Sequence, residues 1–386
     1  MMRTLEKVVI VGAGAAAVSA TEALRAAGFS GQLLLIGAET HLPYDRPPLS
    51  KHVLTGRWNT DRTALRNPRA MAELGVDLRL GATATGLDLT GRAVELNGTD
   101  LVTFDGLIIT TGVDPRRLVA GHNLRGVHLL RTLDDATALR DALRHSHRIV
   151  VIGAGVLGCE IAAAARTLDV DVTVVDVLQA PMVRALGDTV GGIVADLHRG
   201  HGTQILTNQP VDRLLGDDTV SGVRLTCGTV LPADLVVVAI GAAPATDWLA
   251  SSGLVLNDGI VCDTTCRAAP GVYAAGDVAR WHHPRMNASL RVEHRLNATE
   301  QGIVAARNLL GANQPYSPVP FFWSDQFDTR IQAYGHFPPA GETHITEGDP
   351  VQGKFIAHYL SAGRVTGLVG WNMPAALRTH RPLLND

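Results

Sequence analysis

The sequence predicts an α/β protein in which one strand–turn–helix design is built twice and a small α+β segment follows. Three observations carry this expectation. First, "VVIVGAGAAAVSATEAL" (8–24) and "IVVIGAGVLGCEIAAAA" (149–165) each run from an apolar stretch through Gly-x-Gly-x-x-Gly/Ala into an alanine-rich helical pattern. Second, each is followed by another apolar run ending near an acid, "GQLLLIGAE" at Glu39 and "VDVTVVD" at Asp176. Third, from about Phe321 the pattern changes to alternating, aromatic-rich segments, "FFWSDQFDTRIQAYG" and "GKFIAHYLSAGRVTGLVGW", which suggest a small antiparallel sheet with a closing helix. A lone glycine fingerprint is weak, but two complete units in one chain are much stronger.

In such a unit a buried strand turns sharply into a helix and a diphosphate comes close to the backbone. Gly12 and Gly153 make the turn, Gly14 and Gly155 leave room for the pyrophosphate, and Ala17 and Gly158 let helix and strand pack tightly. The helix N-terminus, opened by Ala15 in the first copy, offers N–H groups and a positive dipole end to the anion. Glu39 and Asp176 lie roughly 20–30 residues past the first glycine of their units, where a ribose-binding carboxylate belongs. A solvated acid at a strand end is the alternative for each. Two Rossmann-like units imply two dinucleotides, most simply a flavin and a nicotinamide.

Composition bounds the rest. A chain of 386 residues, 46% hydrophobic and 18% charged, has ample core for two or three domains. A net charge of −3 and a pI of 6.6 give no reason to expect nucleic acid as a partner. The basic residues are 31 Arg and 3 Lys, a composition bias rather than a binding patch. The start of the chain superficially resembles a signal peptide, but the glycine spacing explains the same residues better. No uninterrupted apolar stretch of about 20 residues occurs elsewhere, so no membrane span is expected and the cytoplasm is the expected compartment. Cys159, Cys227, Cys262 and Cys266 form no C-x-x-C. They read as small buried thiols, with a redox or metal pair at Cys262 and Cys266 as the alternative.

Along the chain, "HLPYDRPPLSKHVLTG" follows the first unit and reads as an irregular, proline-rich loop. "LVTFDGLIITTGVDPRRL" reads as a buried strand ending at Thr110–Gly112, and "ADLVVVAIGAAPATDWL" as a second ending at Gly241. Their likeness suggests that the second nucleotide domain is inserted in the first, with "GVYAAGDVAR" returning the chain to it. The expected domains are therefore 1–112 with 244–320 for FAD, 113–243 for NAD, and 321–386 at the C-terminus.

Five stretches carry a resemblance: "PYDRPPLSK" (43–51), "VIGAGVLGCE" (151–160), "GVYAAGDVA" (271–279), "RVEHRLNATEQG" (291–302) and "FFWSDQ" (321–326). On these the chain resembles, over nearly its whole length, the FAD-dependent, NADH-using ferredoxin reductases that serve bacterial cytochrome P450s and aromatic-ring dioxygenases. Putidaredoxin reductase and the biphenyl dioxygenase reductase are the type cases, and the fold implied is glutathione-reductase-like. The resemblance implies that Arg46 and Lys51 lie along FAD, with the Lys51 ammonium at the flavin N5 edge. It implies that Asp277, at a strand-to-helix turn, bonds the ribityl chain, and that Arg131 reaches FAD from the hinge. Thr83, Thr111, Gly112 and Val292 complete the FAD set. Trp323 would cover the flavin near the electron exit, and Glu160 would sit near the nicotinamide. On the NAD side Arg184 and Gly241 join Asp176. Each role has a plainer alternative: a solvated lysine, a core tryptophan, an acid matched to a helix N-terminus. Arg295 stands where the family usually has Trp, whereas "NMP" near the end keeps the usual Asn-x-Pro.

The activity implied is transfer of electrons from NADH through FAD to a [2Fe–2S] ferredoxin, expected to be acidic and to dock near Trp323 and the arginines 280, 285, 291 and 295. The chain would act as a monomer or weak homodimer, with no metal of its own. A disulfide reductase needs a redox cysteine pair near the flavin, and residues 12–60 contain none. A direct NADH oxidase, a small-molecule reductase or a rubredoxin reductase stays open. A signalling flavoprotein of the apoptosis-inducing-factor kind lacks support, since that group's long insertions are absent.

Overall fold

A computed structural model describes residues 5–338 and 341–384. The chain forms two compact units. One contains the chain up to Asp45, Thr63–Asp114 and Ala243–Pro320; the other contains Arg46–Arg62, Pro115–Ala242 and the chain from Phe321.

The first unit is built on a six-stranded sheet. Its strand order is Arg267–Ala269, Val272–Ala274, Gly106–Ile109, Lys7–Val11, Gln32–Gly37 and Val76–Leu80. All pairings are parallel except that of the first two strands. Parallel strands covered on both faces read as continuous apolar runs, and Val8, Val9, Ile10, Leu35 and Ile108 are fully buried or nearly so. The "GVYAAGD" segment runs beside Gly106–Ile109 in this sheet, within the stretch Ala243–Pro320 of the first unit. The helix Ala15–Ala26 packs on the helix Arg295–Leu309. Gly302 is the reason they come so close: a Cβ there would lie 2.4 Å from the Ala16 carbonyl oxygen.

Two readings need correction here. The run expected as one strand is two: Asp100–Thr103 joins a small antiparallel sheet, and Gly106–Ile109 enters the parallel one. The break is at Phe104–Asp105, where the Asp105 carboxylate accepts the N–H groups of Glu6 and Lys7 and pins the corner. The turn carrying Asp277 leads into a strand, Ala279–His283, and not into a helix. The alternation Ala279, Trp281, His283 is buried, which is a strand period.

The second unit has a five-stranded parallel sheet, ordered Gln204–Leu206, Asp171–Val175, Arg148–Ile152, Leu235–Val238 and Val127–His128. The helix Leu133–Leu143 starts in a complete capping box between Thr132 and Asp135. From Phe321 the same unit carries an antiparallel sheet ordered Phe321–Gln326, Thr329–Gly335, Arg364–Trp371, Lys354–Ser361 and Glu342–Asp349, closed by the helix Pro374–His380. Ile356, Leu368 and Leu377 form its core. The segment read as an irregular proline-rich loop holds one turn of π-helix, Leu49–Val53, which carries Lys51. Such turns are rare and concentrate at functional sites.

Candidate functional site

The two glycine turns have the same geometry. Gly12 and Gly153 both sit at φ +105°, a conformation open to glycine and few others. A Cβ on Gly12 would stand 2.3 Å from the Thr110 carbonyl oxygen, and one on Gly153 would stand 2.2 Å from that of Ala239. In the first turn, Gly12 N–H donates to Ile36, while the Thr110 hydroxyl donates to the Val11 and Gly12 carbonyls. In the second, a Cβ on Gly158 would lie 1.9 Å from Gly153 oxygen, so this glycine serves packing. Gly155 differs: its φ is −69° and a Cβ there would meet nothing within 4 Å. Packing within the protein gives no reason for glycine at Gly155.

Both following helices begin bare. Ala15–Ala26 is N-capped by Gly14 and Val156–Arg166 by Gly155, with no side-chain cap and no acid in the first turn. Of the other helices, Leu133–Leu143 and Pro68–Glu73 carry side-chain caps, from Thr132 and Asn67, whereas Val183–Gly200, Arg295–Leu309 and Pro374–His380 do not. Two uncapped N-termini behind glycine turns fit diphosphates, which would occupy the N–H groups a side chain otherwise takes.

Both acids are held by hydrogen bonds at the ends of their strands. Tyr44 donates its hydroxyl to Glu39 at 2.5 Å, and the Glu39 carbonyl accepts the Gly81 N–H. Thr83, just beyond, exchanges backbone and side-chain bonds with Asn97. One Asp176 oxygen accepts the Ala154 N–H of the second glycine turn at 2.5 Å; the other accepts Leu178 N–H at 2.8 Å. Met182, at φ +52°, donates its N–H to the Ala154 carbonyl, so this turn is held on both sides. Arg184 is exposed on the helix Val183–Gly200, and Gly241 stands at φ +94° with open space at its Cβ position.

Other expected residues fall into groups. In the first unit, Gly276 donates to Gln301 and lies against Ala16 near the first helix start, which brings Asp277 there. Thr111 donates to the Ala245 carbonyl, and Gly112 accepts Ala245 N–H. Ala17 is fully buried, and Val292 packs on the core and accepts from Asn297. In the second unit, Arg46 donates to the Arg131 carbonyl at 3.3 Å.

The most unusual feature is a buried charge pair. Lys51 Nζ lies 2.7 Å from Glu160 Oε2, with side chains only 10% and 5% exposed. Ser50 donates its hydroxyl to the same oxygen at 2.5 Å and Ser324 to Oε1 at 2.7 Å. Lys51 also donates to the Pro47 carbonyl at 3.2 Å. An ion pair taken out of water survives only when its remaining valences are satisfied, and these donors do that. Glu160 is thus engaged by side chains, not merely matched to a helix N-terminus. Sequence reasoning missed Ser50, Ser324, Gln326, His198 and Met182. The only signal for Ser324 and Gln326 was polarity at positions i and i+2 of a strand.

Trp323 is on the other face of that strand. It is partly exposed and stacks with Phe321 at 6.2 Å between ring centres, while Phe321 meets Tyr334 at 4.4 Å. It is therefore not a core tryptophan. Of the four arginines expected as a docking patch, three stand against acids, Arg280 and Arg291 with Asp258, Arg291 also with Glu293, and Arg295 with Asp45, while Arg285 is exposed. Arg295 also donates to Thr299. Of the cysteines, Cys159, Cys262 and Cys266 are buried, and burial raises each thiol, Cys266 to about 12. Cys227 departs from the expected burial: it is exposed, and hydrogen bonding from Thr229 lowers its thiol. Among the described residues no cluster of metal ligands occurs and no helix is long and apolar enough to cross a membrane.

Twin glycine turns on parallel sheets, each opening an uncapped helix, define a two-dinucleotide flavoprotein oxidoreductase. Residues 6–302 match the pyridine nucleotide-disulphide oxidoreductase family and residues 321–386 match the reductase C-terminal domain. The chain belongs to that family and, within it, to the ferredoxin–NAD(P)+ reductases, whose cofactors are FAD and a nicotinamide dinucleotide. It is 35% identical to rhodocoxin reductase of Rhodococcus erythropolis, over 98% of this chain and 89% of that one. It is 37% identical to the ferredoxin–NAD+ reductase component of the anthranilate 1,2-dioxygenase system of Burkholderia cepacia, over 97% and 93%. Among solved structures it superposes on the reductase in the covalent putidaredoxin reductase–putidaredoxin complex with a TM-score of 0.94, at 31% identity, covering 99% of this chain and 93% of that one.

Proposed function

We propose that the chain draws two electrons from NADH and delivers them singly to a [2Fe–2S] ferredoxin that feeds a cytochrome P450 or a Rieske oxygenase. FAD, when bound, supplies the step from two-electron to one-electron chemistry. The chain's own residues bind, orient and charge. Gly12, Gly14, Ala15 and Ala17 cradle the FAD diphosphate, with Glu39 at its ribose and Thr83, Thr111, Gly112, Asp277 and Val292 along it. Arg46 and Arg131 add positive charge. Gly153, Gly155, Gly158 and Gly241 shape the NADH site, with Asp176 at the ribose 2′-hydroxyl and Arg184 at its rim. Lys51, fixed by Glu160, places a cation where a reduced flavin ring carries negative charge.

The observation that carries this reading is the buried Lys51–Glu160 pair beside the second glycine helix, in a chain with no cysteine between residues 12 and 60. The family's disulphide chemistry is thereby set aside and electron delivery favoured. The cytoplasm is the compartment we assign, since three buried reduced cysteines suit a reducing environment. The test is anaerobic: FAD-loaded protein, NADH and a [2Fe–2S] ferredoxin, with bleaching of the cluster absorbance followed over time. Catalytic bleaching is expected. Oxidation of NADH by an added small quinone, or by oxygen in a parallel aerobic run, with no ferredoxin reduced, would replace this reading by a small-molecule reductase.

A further inference from the structure

We infer that Ser324 and Gln326, on the strand Phe321–Gln326, are positioning residues for flavin reduction: they hold the Glu160 carboxylate, and through it Lys51, in a charged, fixed arrangement. Both are fully buried, in a strand whose opposite face is aromatic. Among the described residues, Glu160 Oε1 has Ser324 as its hydrogen-bond donor, while Oε2 has Ser50 and Lys51. The Ser324 hydroxyl spends its one proton on Glu160 and accepts from Gln326 Nε2 at 3.0 Å. Gln326 Nε2 also reaches Met182 Sδ at 3.3 Å, and Gln326 Oε1 meets His198 Nε2 at 2.9 Å.

The direction of this chain is forced. If the Gln326 amide were turned over, its oxygen would face Ser324 and claim the hydroxyl proton. Glu160 Oε1 would then face only lone pairs in a buried site. The orientation that satisfies the carboxylate makes His198 the donor to Gln326, Gln326 the donor to Ser324, and Ser324 the donor to Glu160. His198 then carries its proton on Nε2 and none on Nδ1, which fits an Nδ1 that is buried without a partner. Aligned donors polarise one another towards the anion. The C-terminal segment thus supplies the outer support for a charge pair whose members come from the π-helical turn and the second glycine helix.

The inference rests on the proposed placement of Lys51 at the flavin, and the experiment separates the two. Flavin reduction by NADH is followed anaerobically by stopped flow in FAD-loaded protein, over a range of NADH concentrations. Ser324→Ala is expected to lower the limiting reduction rate about tenfold or more, the scale of a lost hydrogen bond to a buried charge, with NADH affinity and FAD content within about twofold. Ser324→Thr, which keeps the donor, is expected to stay within about threefold of the parent. Gln326→Met, of similar volume without the amide, is expected to slow the same step, and it carries the test if Ser324→Ala fails to retain FAD. Lys51→Met and Glu160→Gln are run in parallel. If these two slow reduction while Ser324→Ala and Gln326→Met do not, the positioning role is overturned and the Lys51 reading stands. If none slows reduction, both fall. If Ser324→Ala slows it while Lys51→Met does not, Ser324 acts by another route and the inference is overturned.

Discussion

Gly155 and Gly158 sit three residues apart in one turn and are glycine for different reasons. Gly158 has the Gly153 carbonyl where a Cβ would go; Gly155 has empty space and an ordinary φ. Gly155→Val is therefore expected to leave the melting temperature within about 2 °C while raising the KM for NADH at least tenfold, because only a diphosphate needs that volume. Gly158→Val is expected to compromise folding itself. An unchanged KM in a folded Gly155→Val protein would remove the dinucleotide from this turn. Asp176 is the second residue-scale case. Its two oxygens each hold one backbone N–H, which fixes the carboxylate and leaves lone pairs for a ribose hydroxyl, while a 2′-phosphate would meet its charge. A bias of about 2 kcal/mol gives roughly 30-fold preference for NADH over NADPH in kcat/KM. Asp176→Ala should shrink it below about threefold; equal use of both cofactors by the parent protein would sink the assignment. Thiol chemistry completes this scale. Burial raises Cys159, Cys262 and Cys266, whereas Cys227 is exposed and lowered. Iodoacetamide on the folded protein should label Cys227 alone, without loss of NADH-dependent dye reduction. Rapid labelling of a second cysteine would contradict this packing.

At the scale of elements, the parts legible in the sequence were those with a strict period or a steric demand. The Val/Ile runs at 8–11 and 149–152 became central parallel strands because buried strands have no polar face to show, and the glycines marked turns that admit nothing larger. The alternation after Phe321 became an antiparallel sheet. What stayed hidden was set by partners distant in sequence. The turn Leu49–Val53 looked irregular because five residues of π-helix are too few to show a period. Ser324 gained its meaning only from Glu160, which is 164 residues away. Helix Val183–Gly200 shows the same limit: its amphipathic pattern does not reveal that His198 is buried against the strand's Gln326 and the ring of Phe327. Burial, opposed by the Gln326 bond and aided by the neighbouring His201, lowers this imidazole from its ordinary 6.5 to about 4. The sign follows. The unfolded chain takes up a proton near pH 6.5 and the folded chain only near pH 4, so stability is lost as pH falls across that interval. The total is on the order of 3 kcal/mol. Urea unfolding at pH 7, 6, 5 and 4 should show this acid limb, and His198→Gln should make it shallower without abolishing it, since burial also lowers His294 to about 4. An acid limb of unchanged slope in the variant would place the proton uptake elsewhere.

Over the whole molecule, 34 basic and 37 acidic residues leave a net charge of −3, and the way they pair decides how a partner is met. An acidic ferredoxin approaching a cluster of unpaired arginines would be steered from a distance, with a rate falling steeply as salt rises. The arginines at 280, 291 and 295 do not form such a cluster, because Asp258, Glu293 and Asp45 stand against them. Beyond about 8 Å at physiological ionic strength each pair is close to neutral. The partly exposed aromatic group of Phe321, Trp323 and Tyr334 is the anchor we propose instead, since aromatic rings at the centre of a small interface bury apolar area at little entropic cost. Ferredoxin reduction is therefore expected to slow less than about threefold between about 0.05 and 0.3 M salt, against the tenfold or greater loss that electrostatic steering produces. Trp323→Ala is expected to raise the KM for ferredoxin about tenfold while leaving NADH-dependent reduction of ferricyanide within twofold of the parent. Arg295→Glu is a poor probe of docking, because it sets a second carboxylate against Asp45 and disturbs the fold there. The decisive comparison is salt against Trp323: a steep salt dependence together with an unaltered KM in Trp323→Ala would return the interface to the arginines.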